Sequence, residues 1–201
     1  MVDFLEKYGF KNIHIIDNQS TYKPLVKYLQ QSSHHVHFMD KNYGHRVVWE
    51  SGFFDNIIKK EPYIVTDPDI KPNDNLPYDF CSVLYETLGR HPYITKVGFA
   101  LDIFDLPKNK QSQQVKKWES KFWEDKESNN PDKYWADIDT TFSLYRPGTN
   151  LWRFYDAIRI GGNFTAKHLP WYEQEETPEK KFYAKTASSS ASWIKNTTMY
   201  E

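Results

Sequence analysis

Two aspartates close the stretch YIVTDPDI, at positions 67 and 69, directly after a run of aromatic and β-branched residues. On an extended segment, residues two apart project to the same side, so the carboxylates of Asp67 and Asp69 converge and repel unless a cation lies between them. A hard divalent ion, Mg²⁺ or Mn²⁺, suits such a pair, because it takes one or two carboxylates and fills its shell with water and substrate phosphates. The same residues also suit a proline-stiffened turn whose carboxylates cap the following backbone. A second pair with this spacing, Asp137 and Asp139, lies in WADIDTTF beside Trp135. Either could take the proton from a hydroxyl as its oxygen attacks an anomeric carbon, and either also suits a strand edge in water. Glu119 in KKWESKFW is a further carboxylate for that role, although glutamates on helices mostly face solvent. His168, in the proline- and aromatic-flanked AKHLPWY, could complete a metal shell or serve the fold alone.

Alternating strand and helix signals must position these groups. NIHII (12–16) ends in Asp17 and Asn18, and Thr21 to Gln31 follows with a helical pattern at Leu25, Tyr28 and Leu29 and a proline near its start. HVHFM (35–39) leads through Asn42, Tyr43 and Gly44 into a helix expected from His45 to Ile58, and PYIVT (62–66) leads through the aspartate pair to a helix over Tyr78 to His91. This grammar predicts one α/β domain spanning residues 1–201, with a Rossmann-like, mostly parallel central sheet flanked by helices. Ligands bind such sheets outside the carboxyl ends of the strands, so Asp17, Asn42 and the Asp67/Asp69 pair are expected to share one edge. There Asp17 and Asn18 could accept hydrogen bonds from a ribose or base, or cap the next helix. Asn42 and Gly44 could admit a ligand to the backbone or make a tight turn.

Regularity fades in the second half. KVGFALDIF (96–104) reads as a strand, Gln111 to Asp125 as a helix, KESNNPDK (126–133) as an exposed loop and DTTFSLYR (139–146) as a strand. FYDAIRIGG (154–162) reads as a strand ending at its glycine pair, with loops and short helices from there on. The one low-complexity patch is TASSSAS, at 186–192.

Composition narrows the function classes. Across 201 residues the charged content is 26% and the formal net charge −1, which leaves no electrostatic footprint for nucleic acid. The single cysteine, Cys81, rules out an internal disulfide and suits a reducing compartment. No run approaches the roughly 18 apolar residues of a membrane span and the N-terminus is no signal peptide, so a cytoplasmic protein is expected. The Asn-x-Ser/Thr matches at Asn18, Asn163 and Asn196 then carry no glycosylation meaning. Aromatic content is high, at 17%, and aromatic faces accept sugar rings and bases as well as filling cores.

In order, IIDNQSTYKPL, the Asn-Tyr-Gly-His of KNYGHR, YIVTDPDI, KVGFALDIFDLP, the Trp-Glu of VKKWESKFW, ADIDTTFSLYRPG and IRIGGNFTAKHLPWY resemble small glycosyltransferases of the GT-A fold. Similar proteins occur in bacterial surface-polysaccharide systems and as domains of giant-virus glycosylation enzymes. The resemblance runs from about residue 10 to 195. It implies a nucleotide-sugar donor, UDP-linked by preference, a glycan or other hydroxyl acceptor, and Mn²⁺ or Mg²⁺ held on the diphosphate by Asp67 and Asp69, the family's DxD motif. It further implies donor contacts from Asp17, Asn18, Asn42, Gly44 and His45, His168 near the metal, a catalytic base at Asp137 or Asp139, and an inverting displacement. Members ordinarily begin with one more strand ahead of the helix equivalent to VDFLEKYGF; this chain starts inside that helix, which implies a weaker sheet and donor pocket. The rival reading is a catalytically silent nucleotide-sugar or glycan-binding domain, against which the retention of both aspartates argues. A metal-dependent nucleotidyl or phosphoryl transferase is disfavoured by the lack of a Gly-x-x-x-x-Gly-Lys-Ser/Thr loop.

Overall fold

A computed structural model describes residues 1–149, 151–173 and 175–186 of the chain; Asn196 and all of TASSSAS after Thr186 lie outside the described residues. Its contacts divide into two compact units, one built from Met1–Gly52 and the C-terminal segment, the other from Phe53–Glu173.

The first unit opens with α1 (Val2–Lys7), β1 (His14–Asp17), α2 (Lys23–Gln30), β2 (His35–Phe38) and the single turn α3 (Val47–Glu50). Pro24, at the start of α2, supplies a preset φ where the missing N–H costs nothing. β1 and β2 pair in parallel, with His14 opposite His35 and Asp17 opposite Phe38, as the strand-helix-strand pattern predicts. The His14 and His37 rings stack at 5.1 Å between centroids and share a 2.8 Å hydrogen bond across this pair. Burial and the neighbouring imidazoles lower the pKa of both.

The second unit carries α4 (Asp55–Ile58), β3 (Tyr63–Val65), β4 (Ile70–Pro72), α5 (Phe80–Arg90), β5 (Lys96–Leu101), α6 (Lys110–Glu119), β6 (Lys133–Trp135), β7 (Ser143–Tyr145) and β8 (Ala157–His168). The C-terminal helix α7 (Pro178–Thr186) belongs with the first unit. The large sheet is six-stranded, ordered β3-β7-β5-β8-β4 with β6 also on β8. Among the described residues its only parallel pair is β5–β8, and the other pairs are antiparallel. The fold is therefore α/β as expected, but the expectation of one mostly parallel sheet is corrected: β1 and β2 form a separate sheet and the larger one is mixed. The physical reason is β7 and β8. Their runs are short or interrupted by glycine, and only long-range pairing decides their direction. β3, β5 and β8 nonetheless point the same way, so their carboxyl ends share one end of the sheet.

β5 is buried along its whole length, as befits a central strand. Phe99 stacks on Phe142 at 4.5 Å, and Phe80 meets both edge-on, so much of the aromatic content is core. Cys81 on α5 is half-buried, and burial pushes its thiol up to about 11. Among the described residues no helix is long and apolar enough to cross a membrane.

Several boundaries differ from expectation: the strand expected over 96–104 ends at Leu101, the helix expected over Gln111 to Asp125 ends at Glu119, and the strand expected over 139–146 spans Ser143–Tyr145. The helix expected over His45 to Ile58 is two single turns separated at Gly52, whose φ of 69° breaks a helix. Lys133 opens strand β6 and is buried, where an exposed loop was expected. β8 does not stop at its glycine pair: the β5 register jumps from Phe99 opposite Ile160 to Ala100 opposite Thr165, so residues 161–164 bulge out and the strand resumes to His168.

Gly98 in β5 has no room for a side chain. A Cβ there would strike Ser143 Oγ and the Phe142 carbonyl oxygen and lie 2.9 Å from Ser143 Cβ. Gly98→Ala is expected to destabilise the protein by about 3 kcal/mol, read from the urea midpoint; an unchanged midpoint would mean that β5 and β7 part at little cost.

Candidate active site

The Asp-Pro-Asp segment links β3 to β4, strands at opposite edges of the large sheet, and so crosses the end at which β3, β5 and β8 finish. Pairing of Val65 with Ser143 brings the residues ahead of β7 beside Asp67, and pairing of Ile70 with His168 brings the end of β8 beside Asp69. The consequences are direct. Thr140 Oγ1 donates to Asp67 Oδ2 at 2.8 Å, His168 Nε2 lies 3.3 Å from Asp69 Oδ2, and Leu169 N donates to the Asp69 carbonyl at 2.9 Å. Burial pushes the Asp67 carboxyl up to about 7; the Thr140 hydroxyl opposes this, Asp69 and Asp139 add to it, and His168 opposes it. Asp67, Asp69, Asp139, Thr140 and His168 thus form one electrostatic cluster.

Two buried cations hold the loop that delivers Asp139 and Thr140. Lys96, fully buried at the start of β5, donates from Nζ to the Asp139 carbonyl at 2.7 Å and to Tyr145 Oη at 3.1 Å. Its ammonium also lies 3.7 Å from the Phe154 ring centroid and 4.8 Å from that of Tyr145. Arg159, in β8, donates from Nε to the Asp137 carbonyl at 2.7 Å and from Nη1 to Glu119 Oε2 at 2.8 Å, above the Phe122 ring. Ile138, fully buried, pins the loop between the two clamped carbonyls. Charge on the inside of the fold therefore fixes the carbonyls, while Asp137 and Asp139 are themselves exposed.

The structure separates the expected site residues into groups. Asp67, Asp69, Asp139 and His168 come together; for the Asp137 side chain no contact with this cluster is seen among the described residues. Glu119 is buried in its ion pair with Arg159, so the expectation of a solvated or catalytic glutamate is corrected to a structural one. In the first unit, Asp17 Oδ2 accepts from Ser20 N at 3.1 Å, a turn bond ahead of α2; the N-cap of α2 is Tyr22 and no side chain caps it, so the helix-capping alternative for Asp17 is not found. Asn18 is saturated: Nδ2 donates to Asn42 Oδ1 and the Gly44 carbonyl, each at 2.9 Å, and Oδ1 accepts from Tyr43 N at 2.8 Å. Asn18, Asn42 and Gly44 thus knot the turns after β1 and β2 together, with Gly44 at φ 76°, and His45 is exposed beyond them.

The cluster fits a hard divalent ion. Asp69 Oδ1 is buried and has no hydrogen-bond partner, a donor atom of the required type left unsatisfied. Among the described residues no three His, Cys, Asp or Glu side chains are grouped as a complete metal cage. An ion there would be held by one or two carboxylates and otherwise by substrate phosphates and water, the usual arrangement for Mg²⁺.

A pH dependence follows for the metal-free protein. With its folded pKa raised, Asp67 contributes stability that is complete below the ordinary carboxylate pKa and is lost as pH rises through about 7. The stability of the wild type relative to Asp67→Asn is therefore expected to fall between pH 5 and pH 8 in urea titrations with EDTA. A constant difference would mean Asp67 titrates normally.

Thr140, Lys96, Tyr145 and Arg159 had no role in the sequence reading. Lys96 and Arg159 carry the one available signal, a full charge inside an otherwise apolar strand, which must find buried partners. Comparison of the chain with known protein families, with curated proteins and with solved structures found no match.

Proposed function

We propose that the protein is a metal-dependent glycosyltransferase of GT-A type, moving a sugar from a nucleotide-diphosphate donor, UDP-linked by preference, to a hydroxyl acceptor. The observation that carries this reading is the convergence of Asp67, Asp69, Asp139 and His168, from separate stretches of chain, at the carboxyl ends of β3 and β8. Asp69 and Asp67 would hold Mn²⁺ or Mg²⁺, which supplies neutralisation of the charge on the departing diphosphate. Asp139, exposed and held by Lys96 through its own carbonyl, takes the proton from the acceptor hydroxyl as that oxygen bonds to the anomeric carbon and the bond to the diphosphate breaks. His168 orients Asp69 through their 3.3 Å contact, and Thr140 orients Asp67.

The test is release of the nucleotide (UDP, GDP or CMP) from a panel of UDP-, GDP- and CMP-linked sugars, with simple glycosides as acceptors. Divalent-dependent release is expected from one donor class, reduced about 10²- to 10⁴-fold by Asp139→Asn and far less by Asp137→Asn. Equal loss in both variants would remove the assignment of the base. Metal-dependent donor binding without turnover under any acceptor would favour the silent binding domain instead.

A further inference from the structure

The bulge in β8 builds a second feature, which shares no residue with the carboxylate cluster. Residues 161–164 leave the β5 register and, with α5 and the segment leading into β6, enclose a cleft of about 350 Å³. Bulges of this kind re-aim side chains, and they concentrate beside binding sites. Glu86, Arg90, Asp132, Lys133, Asn163 and Phe164 are among its lining residues. Gly161, at the base of the bulge, sits tight against two rings: a Cβ would meet Trp123 at 3.1 Å and Tyr134 at 3.3 Å. The cleft wall is thus packed from behind by aromatic rings.

Lys133 is the anomaly. It is only 7% exposed, yet its ammonium makes no hydrogen bond or ion pair among the described residues, and it lines the cleft. Burial lowers its pKa; Glu127 opposes this, Arg90 adds to it and Glu86 opposes it. The ammonium is not among the buried polar atoms, so its tip reaches the cleft, where an anion would meet a cation that no hydrogen bond or ion pair within the described residues already holds. The rest of the lining restricts the anion. Arg90 is already paired with Glu86 at 3.2 Å, and Asp132 adds a carboxylate, so a dianion would meet repulsion while a monoanion bearing hydroxyl donors would be matched. Phe164, half-buried and edge-on to Phe99, offers a flat apolar surface to C–H bonds, as sugar rings prefer.

We propose that this cleft is a second ligand site, taking a sugar acid or comparable hydroxylated monocarboxylate of monosaccharide size, with its carboxylate on Lys133 Nζ and its hydroxyls donating to Asp132 and Glu86. The site does not depend on the transferase reading. The test is titration of the ¹⁵N-labelled full chain with D-glucuronate, D-glucose and inorganic phosphate, following the amides of Gly161, Asn163 and Phe164. Saturable shifts with glucuronate are expected, about tenfold weaker or more with glucose, and about tenfold weaker in Lys133→Met. Lys133→Met keeps the apolar stem, so its unliganded thermal midpoint is expected to stand at or above that of the wild type. Equal response to glucose, stronger response to phosphate, unchanged glucuronate binding in Lys133→Met, or a lowered midpoint in that variant would each overturn the proposal.

Discussion

Asp69→Ala is expected to lower sugar transfer about 10³-fold while leaving the fold intact, the range set by the several kcal/mol a bound cation contributes to a developing diphosphate charge. The two halves of this expectation rest on different observations. Loss of activity follows from the position of Asp69 beside His168 at the end of β8, with Oδ1 buried and unsatisfied. Retention of the fold is expected because the substitution removes the desolvation cost of the orphaned Oδ1 together with the 3.3 Å contact of Oδ2 to His168, two changes of opposite sign. The thermal midpoint without metal should therefore change little. Activity that survives the substitution, or a fold that collapses with it, would each remove Asp69 from the metal-holding role.

The second large effect concerns stability. Arg159 and Glu119 are 6% and 7% exposed at their side chains, and their pairing is completed by the Arg159 bond to the Asp137 carbonyl. Removing one member strands the other charge, so Arg159→Met is expected to cost about 3–5 kcal/mol in urea unfolding. The double variant Arg159→Met/Glu119→Leu is expected to recover most of that loss, because apolar residues of similar volume replace a buried pair at little cost. Transfer should stay impaired in the double variant, since the Asp137 carbonyl has lost its clamp and the loop bearing Asp139 is less fixed. A double variant that is both stable and fully active would show that this clamp does not serve the site.

Local signals account for what the sequence made legible. The β1-α2-β2 unit rests on β-branched runs, a proline at a helix start and a helical spacing at Leu25, Tyr28 and Leu29, all within a few residues of one another. Asp67 and Asp69 stood out for the same reason, as paired charges directly after an apolar run. Direction of the later strands is another matter. β7 is three residues long, and β8 contains a glycine bulge whose register depends on β5, some sixty residues earlier in the chain. The same distance hid the supports of the site: Thr140 reaches Asp67, Lys96 reaches the Asp139 carbonyl and Arg159 reaches Glu119 only after the sheet has formed. Asn18 shows the reverse case. Its residue type suited ligand contact, but the turn after β2 consumes every polar atom of its amide.

The central claim, that Asp67 and Asp69 share one divalent ion with a donor diphosphate, is tested most directly by titrating Mn²⁺ into the protein and following the free ion by electron paramagnetic resonance, with and without UDP. Weak uptake by the protein alone and uptake of one ion per chain when UDP is present, lost in Asp69→Ala, is the predicted result. Uptake that ignores the nucleotide, or none at millimolar Mn²⁺ with UDP present, would contradict it.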